Sequence, residues 1–176
     1  VHIKKKIHLD QMEESIFEAK RQNIIVRTNL IIGFPHETWF DIFKTLAFGI
    51  KMAIKGVDEV PVFIFSPYPG TEIFRKLFTD GNLKIGDDYF LQLTSLNSDY
   101  LSWNVICSNP RINWRVLGFV RTVFILTNYF ISYICHPLRI FRTIKNILSE
   151  NISATVFEHR LKDMFRRKKA PSSYSP

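Results

Sequence analysis

Thr28-Asn29-Leu30-Ile31-Ile32-Gly33-Phe34-Pro35-His36-Glu37-Thr38 is the stretch that decides how the chain folds. Leu30, Ile31 and Ile32 are apolar without alternation, as expected of a parallel strand covered on both faces. Gly33 permits a sharp bend and close approach to the backbone, and Pro35 fixes the exit direction. Glu37 offsets a helix dipole and Thr38 is a good N-cap. The stretch therefore reads as a buried strand, a tight turn and a helix start. The same step recurs further on, in Val62-Phe63-Ile64-Phe65 followed by Ser66-Pro67-Tyr68-Pro69-Gly70-Thr71-Glu72.

Working outward, Leu9, Met12, Ile16 and Ala19 repeat at helical spacing before the first strand, which is expected over residues 24–32. A helix is expected over 38–55, with Gly56 as its left-handed cap. The second strand is expected over 57–65, and Thr71 caps a short helix to about Thr79. Strands alternating with helices predict an α/β fold with a parallel sheet. Residues 82–112 carry the turn signals Gly86-Asp87-Asp88 and Asn97-Ser98-Asp99 and read as irregular.

From Trp114 the character changes. Val116 to Cys135 is apolar apart from Arg121 and a stripe made of Gly118, Thr122, Asn128, Ser132 and His136. It approaches spanning length, but the polar stripe suits a helix lying in an interface or docked on a domain. A second helix with Arg139, Arg142 and Lys145 follows Pro137, and a third begins at Val156. The Pro- and Ser-rich residues 171–176 are expected to be disordered. These features divide the chain into 1–105, 106–170 and 171–176.

The 176 residues carry a net charge of +8. Residues 1–109 hold 12 Lys and Arg against 13 Asp and Glu, whereas residues 110–176 hold 12 against 3. This basic, apolar last third points to an anionic partner, a membrane surface or nucleic acid. Apolar residues make up 46%, which excludes a disordered chain. Cys107 and Cys135 lack metal or redox spacing and fit a reducing compartment. His2, His8, His36, His136 and His159 are scattered and read as surface residues. No nucleophile–base pair, metal cluster or phosphate loop is present. Val1 is not a start methionine, so a fragment of a longer protein is expected.

Taken together, Asn29 to Thr38 and Phe65 to Glu72, with Asp80-Gly81 following, resemble the C-terminal half of radical S-adenosylmethionine enzymes. The nearest likeness is to the branch with a cobalamin-binding domain, similar to the anaerobic magnesium-protoporphyrin ester cyclase. It covers roughly residues 1–105. The resemblance implies the C-terminal part of a partial (β/α) barrel, followed by an α-helical, amphipathic extension. In that family a Gly-x-Ile-x-Gly pattern packs beside the adenine; Ile31 and Gly33 fit it, while Asn29 replaces the first glycine. Glu37 matches the family's glutamate, Phe65 and Ser66 fall at the adenine edge, and Tyr68 overhangs the substrate side.

The implied cofactors are S-adenosylmethionine and a [4Fe-4S] cluster, with cobalamin left open. The family's Cys-x3-Cys-x2-Cys cluster motif does not occur in these residues, so on this reading they are inactive alone. The expected parent is a methyltransferase- or cyclase-type enzyme acting on an apolar, lipid-like or other small-molecule substrate. It is expected in the cytoplasm, with peripheral contact to the inner membrane face through 114–169 and without nucleic acid. The rivals are a non-catalytic membrane-associated scaffold and a radical RNA-modifying enzyme whose tail binds phosphate.

Overall fold

The computed structural model describes residues 8–83, 85–87, 89, 90, 93, 109–149 and 155–169, with only the backbone of Arg160 and of 164–169. The expected disordered tail and most of the irregular segment, with Cys107, lie outside these residues.

In chain order the elements are α1 (Leu9–Arg21), β1 (Leu30–Ile32), α2 (Trp39–Ile54), β2 (Val62–Ile64), α3 (Glu72–Thr79), α4 (Trp114–Cys135), α5 (Leu138–Leu148) and α6 (Val156–Lys169). β1 and β2 pair in parallel, with Leu30 opposite Val62 and Ile32 opposite Ile64. Both strands are shorter than expected. Pairing upstream is reduced to a bridge between Arg27 and Glu59 and to the Leu30 N–H donating to the Pro61 carbonyl. Pro61 itself has no N–H to offer a ladder.

Local chemistry explains the helix ends. Thr38 and Asp41 form a capping box at the start of α2, and the Thr71 hydroxyl accepts from the Phe74 N–H at 3.2 Å to start α3. Gly56 (φ 96°) closes α2 in the left-handed region.

One face of the sheet is buried. Leu30, Ile32, Val62 and Ile64 share a core with Ile42, Leu46 and Met52 of α2 and with Leu117, Phe124 and Ile125 of α4. The same core therefore runs across the boundary expected near residue 105. Gly49 is where α2 and α4 touch most closely: a Cβ there would lie 2.6 Å from Phe124 Cζ and 2.8 Å from Leu30 Cδ1. The Asn128 amide donates to the Gly49 carbonyl across that contact, at 3.2 Å.

The orientation of α4 departs from expectation. Its polar stripe faces inward: Gly118, Arg121, Thr122, Asn128 and Ser132 are buried, and Arg121 is 1% exposed. Its outward side carries Val116, Phe119, Val123, Leu126, Phe130 and Ile134. Among the described residues α4 is the one helix long and apolar enough to cross a membrane, and nearly half of its most apolar stretch is buried against the protein.

The basic residues of α5 are a second departure. Arg142 donates to Asp58 at 2.9 Å, and Arg139 lies 3.7 Å from the same carboxylate. Lys20 of α1 reaches Asp58 at 2.5 Å, and the Val26 N–H donates to it at 3.0 Å. Glu59, next in sequence, accepts from Tyr129 at 2.9 Å and from the Val156 and Phe157 N–H groups that open α6. Part of the basic excess is thus neutralised internally, which weakens the case it made for an anionic surface.

Burial pushes the Asp58 carboxyl up, but the bonds from Lys20, Val26 and Arg142 outweigh it and hold the group below the ordinary 3.8. A depressed carboxyl stabilises the fold above its unfolded pKa and loses that contribution as pH falls through its folded value. Asp58→Ala should cost about 3 kcal/mol, because it leaves two arginines and a lysine around an empty site. Urea titrations at neutral pH should show this loss. The same titrations below about pH 4 should show the difference between wild type and Asp58→Asn shrinking.

Candidate functional site

The turn after β1 is closed by its own glutamate. Glu37 Oε2 accepts from the Gly33 N–H at 2.6 Å and from the Phe34 N–H at 3.0 Å. The side chain therefore caps two backbone donors of the turn, whereas the helix start is capped by Thr38 and Asp41. Burial raises the Glu37 carboxyl above its ordinary value, opposed by those two N–H bonds. Asn109 locks the same turn from outside, its amide donating to the carbonyls of Phe34 (2.7 Å) and Glu37 (2.8 Å).

Gly33 serves the protein side of this turn. Its φ is 87°, and a Cβ would lie 2.9 Å from Leu117 Cδ2 on α4. The space that its missing side chain leaves is filled by a helix.

The turn after β2 is held in the same manner from a distance. The buried Tyr89 hydroxyl donates to the Pro67 carbonyl, and the Thr71 hydroxyl donates to the Tyr68 carbonyl at 2.8 Å. Tyr89 belongs to a second apolar cluster with Phe74, Leu77, Leu83 and Leu93. Burial raises its phenol above the usual value.

On the open face of the sheet, at the C-terminal ends of the strands, a groove of about 500 Å³ is lined by Asn29, Ile31, Phe63, Phe65, Ser66 and Tyr68, with Phe34, Ile64, Ile73 and Leu93 around them. Ile31 is 46% exposed in the middle of β1. The Phe34 and Phe65 rings pack at 4.4 Å and form one wall. The Ser66 hydroxyl oxygen is buried without a hydrogen-bond partner. Such a group costs free energy unless something completes it. The groove presents a flat apolar surface, with the Ser66 hydroxyl oxygen buried beside it.

Five of the seven residues singled out from sequence therefore come together: Asn29, Ile31, Phe65, Ser66 and Tyr68. Gly33 and Glu37 stand behind them and shape the turn. Sequence reasoning missed Asn109 and Tyr89, which act on turns far away in the chain. Asn109-Pro110 and the Gly86-Asp87-Asp88 turn before Tyr89 mark both as ends of loops, but not as anchors. Among the described residues no group of His, Cys, Asp and Glu could hold a metal ion. A second cavity, of about 480 Å³, lies at the opposite end of the strands beside Arg27, Glu59 and His159.

The chain is 31% identical over 107 residues, 61% of its length, to a tRNA-2-methylthio-N(6)-dimethylallyladenosine synthase of Burkholderia pseudomallei. It is 42% identical over 65 residues, 35% of its length, to the ribosomal protein uS12 methylthiotransferase RimO of Syntrophobacter fumaroxidans. These likenesses relate the chain to radical S-adenosylmethionine enzymes. The chain spans 21% and 14% of the lengths of these two relatives. No family model matches it, and no solved structure does.

The comparison corrects one expectation. A lipid-like substrate at a membrane, with no nucleic acid involved, was expected; the relatives are named for a tRNA product and a ribosomal protein. That expectation rested on the apolar Val116–Cys135 helix and the basic tail, and of the tail's charges Arg139 and Arg142 are turned inward onto Asp58.

Glu37→Ala should cost about 1–3 kcal/mol, because two N–H groups lose their acceptor, whereas Glu37→Gln keeps an oxygen in place and should cost less. A carboxyl with a raised folded pKa contributes stability that fades as pH rises from its unfolded to its folded value. Glu37→Gln should remove that part of the pH dependence. Gly33→Ala should cost about 1–3 kcal/mol through its left-handed backbone and the Leu117 contact. Thermal and urea unfolding of the three variants check these outcomes.

Proposed function

We propose that this chain is part of a radical S-adenosylmethionine enzyme and forms the wall of the site that receives the adenosyl group. The observation that carries the reading is the single groove in which Ile31, Phe65, Ser66 and Tyr68 meet at the C-terminal ends of two parallel strands. That end of an α/β unit is where ligands bind. On this reading the two strands are consecutive members of a (β/α) barrel, and the open face of the sheet is the barrel interior.

The residues present fit the organic part of the cofactor. Ile31 and the Phe63 and Phe65 rings offer a flat apolar bed for a purine. Backbone groups near Phe65 and Ser66 offer polar contacts at its edge. When bound, S-adenosylmethionine supplies a sulfonium that a reduced cluster cleaves. The cysteines of that cluster would come from outside these 176 residues. The task of this chain is to seat the adenosyl group, orient it and keep water from it. On this reading Tyr68, 52% exposed on a loop stiffened by Pro67 and Pro69, would face the reacting partner.

The methylthio products in the relatives' names favour a sulfur-inserting parent over the cobalamin branch. The substrate class proposed is accordingly RNA or a ribosomal protein.

Titration of the chain with adenosine, followed by backbone NMR, tests the reading. Shifts should concentrate on Ile31, Phe65 and Ser66. Ile31→Glu changes an exposed residue, so the fold should persist while binding weakens at least tenfold, about 1.4 kcal/mol. Shifts scattered over the surface, or binding that ignores Ile31→Glu, would sink the assignment of the groove.

A further inference from the structure

Two walls of the groove are held by residues that do not line it. The first wall is the Phe34 ring, packed on Phe65 at 4.4 Å. The backbone of Phe34 is gripped on both sides. Its N–H donates to Glu37 Oε2 at 3.0 Å, and its carbonyl accepts from the Asn109 amide at 2.7 Å. The same amide donates to the Glu37 carbonyl at 2.8 Å, so one side chain spans the turn. Asn109 is 2% exposed, and its own oxygen accepts from the Arg111 N–H at 2.9 Å, which fixes the direction of the amide. The second wall is the turn of Pro67 and Tyr68. The Tyr89 hydroxyl donates to the Pro67 carbonyl, and the Tyr89 ring is anchored among Phe74, Leu77, Leu83 and Leu93. Leu93 in turn lines the groove.

We infer that the connection between α3 and α4 positions both walls of the adenosyl groove, with Asn109 and Tyr89 as its two positioning residues. The inference rests on the reading of the groove given above. The strand ladder runs over Leu30–Ile32 and Val62–Ile64 and stops short of the Phe34 and Pro67 carbonyls, so the sheet does not fix them. Without Asn109 the Phe34 carbonyl keeps only the short-range bond from the Glu37 N–H at 3.1 Å, and the Glu37 carbonyl loses its amide donor. Side-chain direction follows backbone angles, so a looser turn lets the Phe34 ring leave the Phe65 face. Without the Tyr89 hydroxyl the opposite wall loosens in the same way. A bed held at one width binds a flat ligand with less ordering cost than one that must be assembled around it. Asn109 and Tyr89 thus act on the ligand through Phe34 and Tyr68 and need not touch it.

Calorimetric titration of the full 176-residue chain with adenosine tests this. Asn109→Ala should weaken binding about tenfold, the worth of one to two hydrogen bonds. Tyr89→Phe keeps the ring in its cluster and removes only the hydroxyl; it should weaken binding severalfold. Val57→Ala loosens the core at the opposite end of the sheet and should leave the affinity as it is. Sucrose favours the compact state. It should restore the folded fraction of Asn109→Ala without restoring its affinity, which separates positioning from loss of folding. Unchanged affinity in Asn109→Ala or in Tyr89→Phe overturns the inference. So does affinity that sucrose recovers, or an equal loss in Val57→Ala. A wild type that binds no adenosine overturns the reading of the groove and this inference with it, and the wild-type titration alone tells the two failures apart.

Discussion

The adjacent carboxylates Asp58 and Glu59 fix where the helices meet the sheet. Both are nearly inaccessible, at 6% and 4% exposure. Buried carboxylates are tolerated only when paired and hydrogen-bonded. Asp58 is surrounded by Lys20 of α1, the Val26 N–H ahead of β1, and Arg139 and Arg142 of α5. Glu59 takes Arg27, Tyr129 of α4 and the first N–H groups of α6. Two consecutive side chains thus tie four helices to the entrance of β2. Arg139 extends the tie by donating to the Val57 carbonyl at 2.9 Å and to the Ser132 hydroxyl at 2.6 Å.

This arrangement accounts for the inverted α4. A helix normally hides its apolar side and shows its polar one. Here the sheet entrance is polar, because Asp58, Glu59 and the end of α2 are there, and α4 meets it with Asn128, Tyr129 and Ser132. Leu117, Phe124 and Ile125 join the core beside these polar groups, and the rest of its apolar residues remain for the outside. Polar pairs bring register, since each bond works at one position only, and Gly49 adds a steric stop where Phe124 and Leu30 converge.

How much could be read from the sequence follows from the range of each interaction. Thr38, Thr71, Gly56 and Asp80-Gly81 act within a turn of themselves, and their caps and stops are found where the residues imply. Ile31, Phe65 and Ser66 were singled out through a family resemblance, and the parallel register that sets Ile31 opposite Phe63 brings them to one groove. Asn109 is more than seventy residues from the turn it locks, and Arg142 more than eighty from Asp58. Nothing local marks such partners. A charge count treats Arg139 and Arg142 as surface charge, when in fact they answer a buried carboxylate.

The two ends of the short sheet are therefore specialised. The entrance is crowded with ion pairs and helix starts that hold the elements together. Among the described residues the exit presents two held turns and an apolar bed. Parallel strands are ordinarily covered on both faces. Among the described residues β1 and β2 bury one face, with Leu30, Ile32, Val62 and Ile64 inside and Ile31 open to the groove. An isoleucine exposed at mid-strand loses the transfer free energy that its neighbours gain, about 1–2 kcal/mol. That loss is recovered only when something apolar lies against it. The groove is thus an apolar face framed by two turns that the protein holds from a distance, that of Gly33 through Asn109 and that of Pro67 through Tyr89.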